Sequence, residues 1–133
     1  MEWRLGTGAS GHTGGDAVIE YLDIYYDTVR RLLATGDPLM RLTHVGLGTS
    51  GAPDATELTE PHVVAISATV LPPNDPKKLL IRWVVPAGVA TGLMVRELGL
   101  LRGDGALVAR KVLANPIEKI AEMELGDWWD LDV

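Results

Sequence analysis

The sequence has no cysteine, no phenylalanine and only three histidines, and its basic residues are outnumbered by its acidic ones. Without cysteine there is no disulfide scaffold, no thiolate zinc site and no cysteine nucleophile. Twelve Lys and Arg against eighteen Asp and Glu leave a net charge of −6. That balance argues against non-specific binding to nucleic acid or to an anionic membrane, both of which need clustered cations. No apolar run reaches the ~18 residues of a spanning helix. The first residues, Met1-Glu2-Trp3-Arg4, do not lead from a basic region into an apolar one, so no secretory signal is read. The expectation is an intracellular or particle-assembled protein.

What is present suits a folded domain. The chain has 133 residues, of which 47% are hydrophobic and 23% charged. A chain of this length is most simply one domain, burying about two-thirds of its unfolded surface. Residues 1–15 read as a glycine-rich, flexible lead-in. Val18, Ile19, Leu22, Tyr25, Tyr26, Val29, Leu32 and Leu33 then recur at three- and four-residue steps, which predicts an amphipathic helix over 16–35. Asp16 is its expected cap, and Gly36 and Pro38 its stop.

Beyond Pro38 the period falls to two. Strands are expected over 40–47, 62–71, 79–85, 93–101, 106–113 and 121–133. Asp104-Gly105 reads as a hairpin turn, and 115–119 as a connector. In the last strand Met123, Leu125, Trp129, Leu131 and Val133 share one face. The acids Glu122, Glu124, Asp127, Asp130 and Asp132 read as a wet edge that discourages strand addition. One helix and about six strands with regular turns predict a mainly-β fold, an antiparallel β-sandwich over 40–133.

Several patterns look like chemistry. Gly6-x-Gly8-x-x-Gly11 and Gly46-x-Gly48-x-x-Gly51 both match a dinucleotide fingerprint, but neither has the strand, the following helix and the distal acid that the fingerprint requires. Arg102-Gly103-Asp104 spells an adhesion tripeptide, yet a tight turn needs those residues anyway. His12, His44 and His62 lack metal-ligand spacing. No nucleophile elbow occurs. No catalytic residue, metal or cofactor is therefore assigned. The candidate interface residues are Trp128, placed outward by its parity, Trp83 in a strand apolar on both faces, and Tyr25 and Tyr26 on the helix.

Residues 43–56, THVGLGTSGAPDAT, resemble a segment of bacteriophage tail-collar and tail-fibre proteins, where a strand end runs into a Thr/Ala/Pro/Asp loop. Residues 86–113 are similar to a later block of that family, through Glu97-Leu98-Gly99-Leu100, Asp104-Gly105 and Leu107-Val108-Ala109-Arg110. Residues 116–131 resemble its closing Trp-containing strand. The resemblance spans about 90 residues and rests on turn-and-strand motifs. It implies a non-enzymatic structural component of a phage or prophage tail, located in the virion tail and in the bacterial cytoplasm during assembly. Its implied partners are copies of itself, as a homo-oligomer such as a trimer, and other tail proteins. Many relatives continue into a fibre, whereas this sequence stops at Val133, so a collar, fibre-attachment or baseplate accessory role is expected. The alternative is a carbohydrate- or other ligand-binding sandwich built around Trp128.

Overall fold

The structure, a computed structural model, describes residues 3–5 and 18–132. The strands are β1 (Trp3–Leu5), β2 (Val18–Tyr21), β3 (Leu42–Gly48), β4 (His62–Ala65), β5 (Ala68–Val70), β6 (Lys78–Val85), β7 (Met94–Arg102), β8 (Leu107–Glu118) and β9 (Leu125–Asp132). One sheet runs β1-β9-β6-β5 and the other β2-β8-β7-β3-β4. Every pairing is antiparallel. The fold is the expected mainly-β, sandwich-like pair of sheets, with one α-helix among the described residues, α1 (Asp23–Thr35).

Alternation sets the core. Ile81, Trp83 and Val85 of β6 and Leu125, Trp129 and Leu131 of β9 are buried on one inner face. Val45 and Leu47 of β3, Leu98 and Leu100 of β7, and Val108 and Ala109 of β8 are buried in the same core. The helix closes one end of the sandwich with Tyr25 and Thr28, both buried.

The helix is shorter than its sequence period. It begins at Asp23, and Leu22 at its N-cap makes no side-chain cap bond. Residues 18–21 are instead an edge strand on β8. Ile19 and Tyr21 pack against the core, while Glu20 reaches across to Arg110. A short apolar run fits either period, and the tertiary partner decides. Asp16, the expected cap, lies outside the described residues. The C-terminus matches expectation, with Gly36 left-handed at φ 66° and its N–H bonded to the Leu32 carbonyl. The lead-in also needs correction, since Trp3–Leu5 pairs with β9.

The single strand expected over 62–71 is two strands in opposite sheets. Ile66 N donates to Thr43 O of one sheet, and Ser67 N donates to Arg82 O of the other. The crossing inverts the alternation: Val64 and Ile66 pack on the core, but Val70 lies exposed. The 115–119 connector is strand as far as Glu118. There β7 advances from Val95 to Glu97 while β8 retreats from Ile117 to Val112, so Asn115-Pro116 bulges outward. The last strand starts at Leu125 and is no edge, because β1 and β6 flank it.

Gly126 marks a tight place in β9. A Cβ there would stand 2.8 Å from the Trp83 carbonyl oxygen, a backbone atom that cannot step aside. Gly51 has nothing within 4 Å. Gly126→Ala is expected to lower Tm by about 3–10 °C, against no loss for Gly51→Ala, by thermal unfolding of both variants.

Candidate functional site

The outer face of the five-stranded sheet carries a buried ionic cluster. Opposite Gly99 on β7, Arg110 of β8 is completely buried, and so is Glu97. The Arg110 Nε donates to Glu97 Oε1 at 2.7 Å, Nη1 to Glu20 Oε1 at 2.6 Å, and Nη2 to the Ser50 carbonyl at 3.2 Å. The second Glu97 oxygen accepts the backbone N–H groups of Ser50 and Thr59, at 3.0 and 2.9 Å. The second Glu20 oxygen accepts the N–H of Asp54. Every one of these contacts, apart from the ion pairs themselves, ends on the 49–61 loop.

Glycine lets that loop lie close. A Cβ on Gly46 would come within 2.5 Å of the Leu58 side chain, and one on Gly99 within 2.9 Å of it. One on Gly48 would collide with the Glu97 carboxylate. The second glycine pattern therefore makes room for the chain's own loop, and no helix follows it. The first lies outside the described residues. Chemically, the cluster is a closed set of charge-assisted hydrogen bonds. Its Arg110 and Glu97 are sealed from water while Glu20 stays partly exposed, and removing one member would strand a buried charge.

A second buried charge faces inward. Lys111 is fully buried between the sheets, its Nζ 4.8 Å from the centroid of the Trp129 ring. Its Nζ has no hydrogen-bond partner among the described residues. Asp127, opposite Trp83 on β9, is buried on the same side of its sheet. Burial pushes the Lys111 ammonium down to about 7, against the opposing pull of Asp127 and Asp130. Asp127 had been expected on a wet edge, but its odd position in β9 turns it to the core. Asp130 is half-buried on the opposite face, with Lys78 Nζ 3.4 Å from its Oδ1. Glu122 and Glu124 are exposed, so the five acids do not form one edge.

The candidate interface residues part company. Trp83 is completely buried under the facing sheet, and Tyr25 is 3% exposed at the sandwich end. Neither presents a surface, which corrects both expectations. Their strand and helix parities point them inward. Tyr26 is 54% exposed. Trp128 does face outward, but half-buried, with the Arg82 guanidinium 5.6 Å from its ring centroid. That cation occupies part of the ring face a sugar would need.

The remaining motifs are structural. Arg102 Nε bonds Asp104 Oδ1 at 2.8 Å, and Nη1 donates to the Thr28 hydroxyl on α1. The turn thus pairs its own tripeptide charges, and the Arg102 guanidinium beside Asp104 holds that carboxyl below its usual range. Gly105 takes the left-handed φ of 86°. His44 hydrogen-bonds Thr43 Oγ1, and His62 lies opposite Leu47, away from His44 in register. His12 lies outside the described residues. Among those residues no group of three metal-ligating side chains gathers, and no helix is long and apolar enough to cross a membrane.

Sequence reasoning named Glu97 and Arg110 only inside the motifs of the resemblance, and gave no site role to them or to Glu20. A signal existed: Arg110 has Val108 and Val112 two positions to either side in a strand, and an arginine in such a setting calls for a buried acid. No family model, curated protein or solved structure matches the chain.

The depressed Lys111 fixes a sign. Lysine titrates near 10.4 when unfolded. Between pH 7 and 10 the unfolded chain binds a proton that the folded one releases, so this residue's contribution to stability rises with pH. Below pH 7 both states are protonated and the contribution is flat. Urea unfolding at stepped pH should show the wild type gaining on a Lys111→Met variant from pH 7 to 10. A constant difference between the two would contradict this.

Proposed function

We propose that this chain is a non-enzymatic structural component of a phage or prophage tail, in a collar, fibre-attachment or baseplate role, working through protein–protein assembly. One observation carries the reading. The sequence blocks that resemble tail-collar and tail-fibre proteins lie far apart along the chain, yet they meet in one device. The 43–56 block supplies β3, Gly46, Gly48, Ser50 and Asp54. The 86–113 block supplies Glu97, Gly99 and Arg110. Glu97 and Arg110 hold the loop of the first block through Ser50. Residues that carry a resemblance and also share one buried contact are a fold's signature, and here they are committed to holding a loop.

The chemistry supports a module of this kind. The charged side chains with the deepest burial are spent on structure. Beside its charges, the surface also exposes the apolar side chains of Tyr26, Leu33, Leu39, Val63, Val70, Leu71 and Ile120. The virion tail is the corresponding location, with the bacterial cytoplasm as the place of assembly.

The test is physical association. Tail particles purified from the bacterium or phage that carries the gene should contain the chain at a fixed ratio to the other tail proteins, by quantitative mass spectrometry. Particles with a full set of tail proteins and no trace of this chain would overturn the proposal.

A further inference from the structure

The exposed side of α1 is ordered by charge. Tyr26, Arg30 and Leu33 follow one another at i, i+4 and i+7, and so form a single stripe. Tyr26 is 54% exposed and Leu33 85%, while the Arg30 and Arg31 side chains are 77% and 60% exposed. The acids, Asp23 and Asp27, occupy the N-terminal half, and the arginines the C-terminal half. Asp27 accepts hydrogen bonds from both Arg30 and Arg31, which hold its carboxyl below the usual range. One carboxylate neutralises one cation. The C-terminal half therefore keeps a surplus positive charge, and Asp23 stands as a negative charge seven residues before Arg30.

Apolar surface follows the same polarity. At the start of the helix the exposed ring of Tyr26 rests on buried Tyr25, and Tyr25 on half-buried Tyr21, with ring centroids 5.2 Å apart in both pairs. Leu33 stands near the other end. Along the flank of the helix, an apolar cleft of about 380 Å³ opens between Val29, Leu32 and Leu71, and Leu71 itself is 78% exposed.

We infer that α1 is the contact surface for a second copy of this chain, laid antiparallel across a two-fold axis near Tyr26. In that register Asp23 of one copy meets Arg30 of the other, twice over. Leu33 of each copy covers the exposed Tyr26 ring of its mate, and the two helix dipoles oppose. A two-fold contact needs a self-complementary surface. This helix supplies both halves of each match: acid and surplus cation, exposed tyrosine ring and leucine. A foreign partner would require neither match to be present on one helix. The inference goes beyond the tail reading and stands on the helix surface alone.

The test is solution mass by light scattering on the full chain over a range of concentrations. The expected mass is twice the 14.3 kDa of the chain. Leu33→Asp, at a site too exposed to unfold the protein, should weaken the dimer about tenfold or more. Arg30→Asp should also dissociate it by facing acid with acid. Asp23→Arg added to Arg30→Asp should restore it, since the reversed charges again match across the axis. Circular dichroism checks that each variant folds. A 14.3 kDa species at every concentration, a trimer, or a dimer indifferent to Leu33→Asp would each overturn the inference, as would failure of the double reversal to restore the mass. Absence from tail particles would leave this contact standing and sink only the tail reading.

Discussion

A guanidinium with no access to water governs the five-stranded half of this protein. Arg110 arises in the middle of β8, on the face away from the sandwich core, where an arginine would ordinarily reach solvent. Here the 49–61 loop lies over it. A charge so placed is tolerable only when partners replace its lost hydration. Glu97 and Glu20 supply the charge, and the Ser50 carbonyl the remaining hydrogen bond. The same carboxylates then bind the backbone N–H groups of Ser50, Asp54 and Thr59. The result ties an edge strand, two central strands and a long loop to one point.

This constraint explains features that otherwise look unrelated. Residues 18–21 leave the helical period because Glu20 must lie on the Arg110 side of the sheet while Ile19 and Tyr21 face the core. The glycines of β3 and β7 are small because Leu58 and the Glu97 carboxylate occupy the space above them. A loop with no regular secondary structure keeps a defined position because its amides are held by a buried charge. The four-stranded half is built differently. Its inner face is a tryptophan-rich core, and its buried cation, Lys111, reaches it from the opposite sheet.

Much of the fold was legible from period alone. The helix stop at Gly36, the turn at Asp104-Gly105 and the inward Leu125, Trp129 and Leu131 of β9 all follow from alternation and turn chemistry. Less legible was whatever depended on a distant partner. Val18–Tyr21 has too few residues to distinguish helix from strand, and β8 chose strand. Residues 62–71 alternate without a break, and only the hydrogen bonds of Ile66 and Ser67 show the chain changing sheets. The buried site was hidden because Glu20, Glu97 and Arg110 are scattered in sequence. Trp83 and Tyr25 stood out as aromatics, but aromatic identity does not separate an anchor from a core residue; parity does, and parity places both inside.

The central claim is that Glu97 works as a structural pin for the 49–61 loop. Amide hydrogen exchange in a Glu97→Gln variant addresses it directly. Glutamine keeps the shape but loses the charge, and it puts a donor where one oxygen must accept. The account predicts that exchange at Ser50 and Thr59 accelerates about tenfold or more beyond any change in β6 and β9. Exchange at those two amides that stays at the wild-type rate, or rises only in step with β6 and β9, would contradict it.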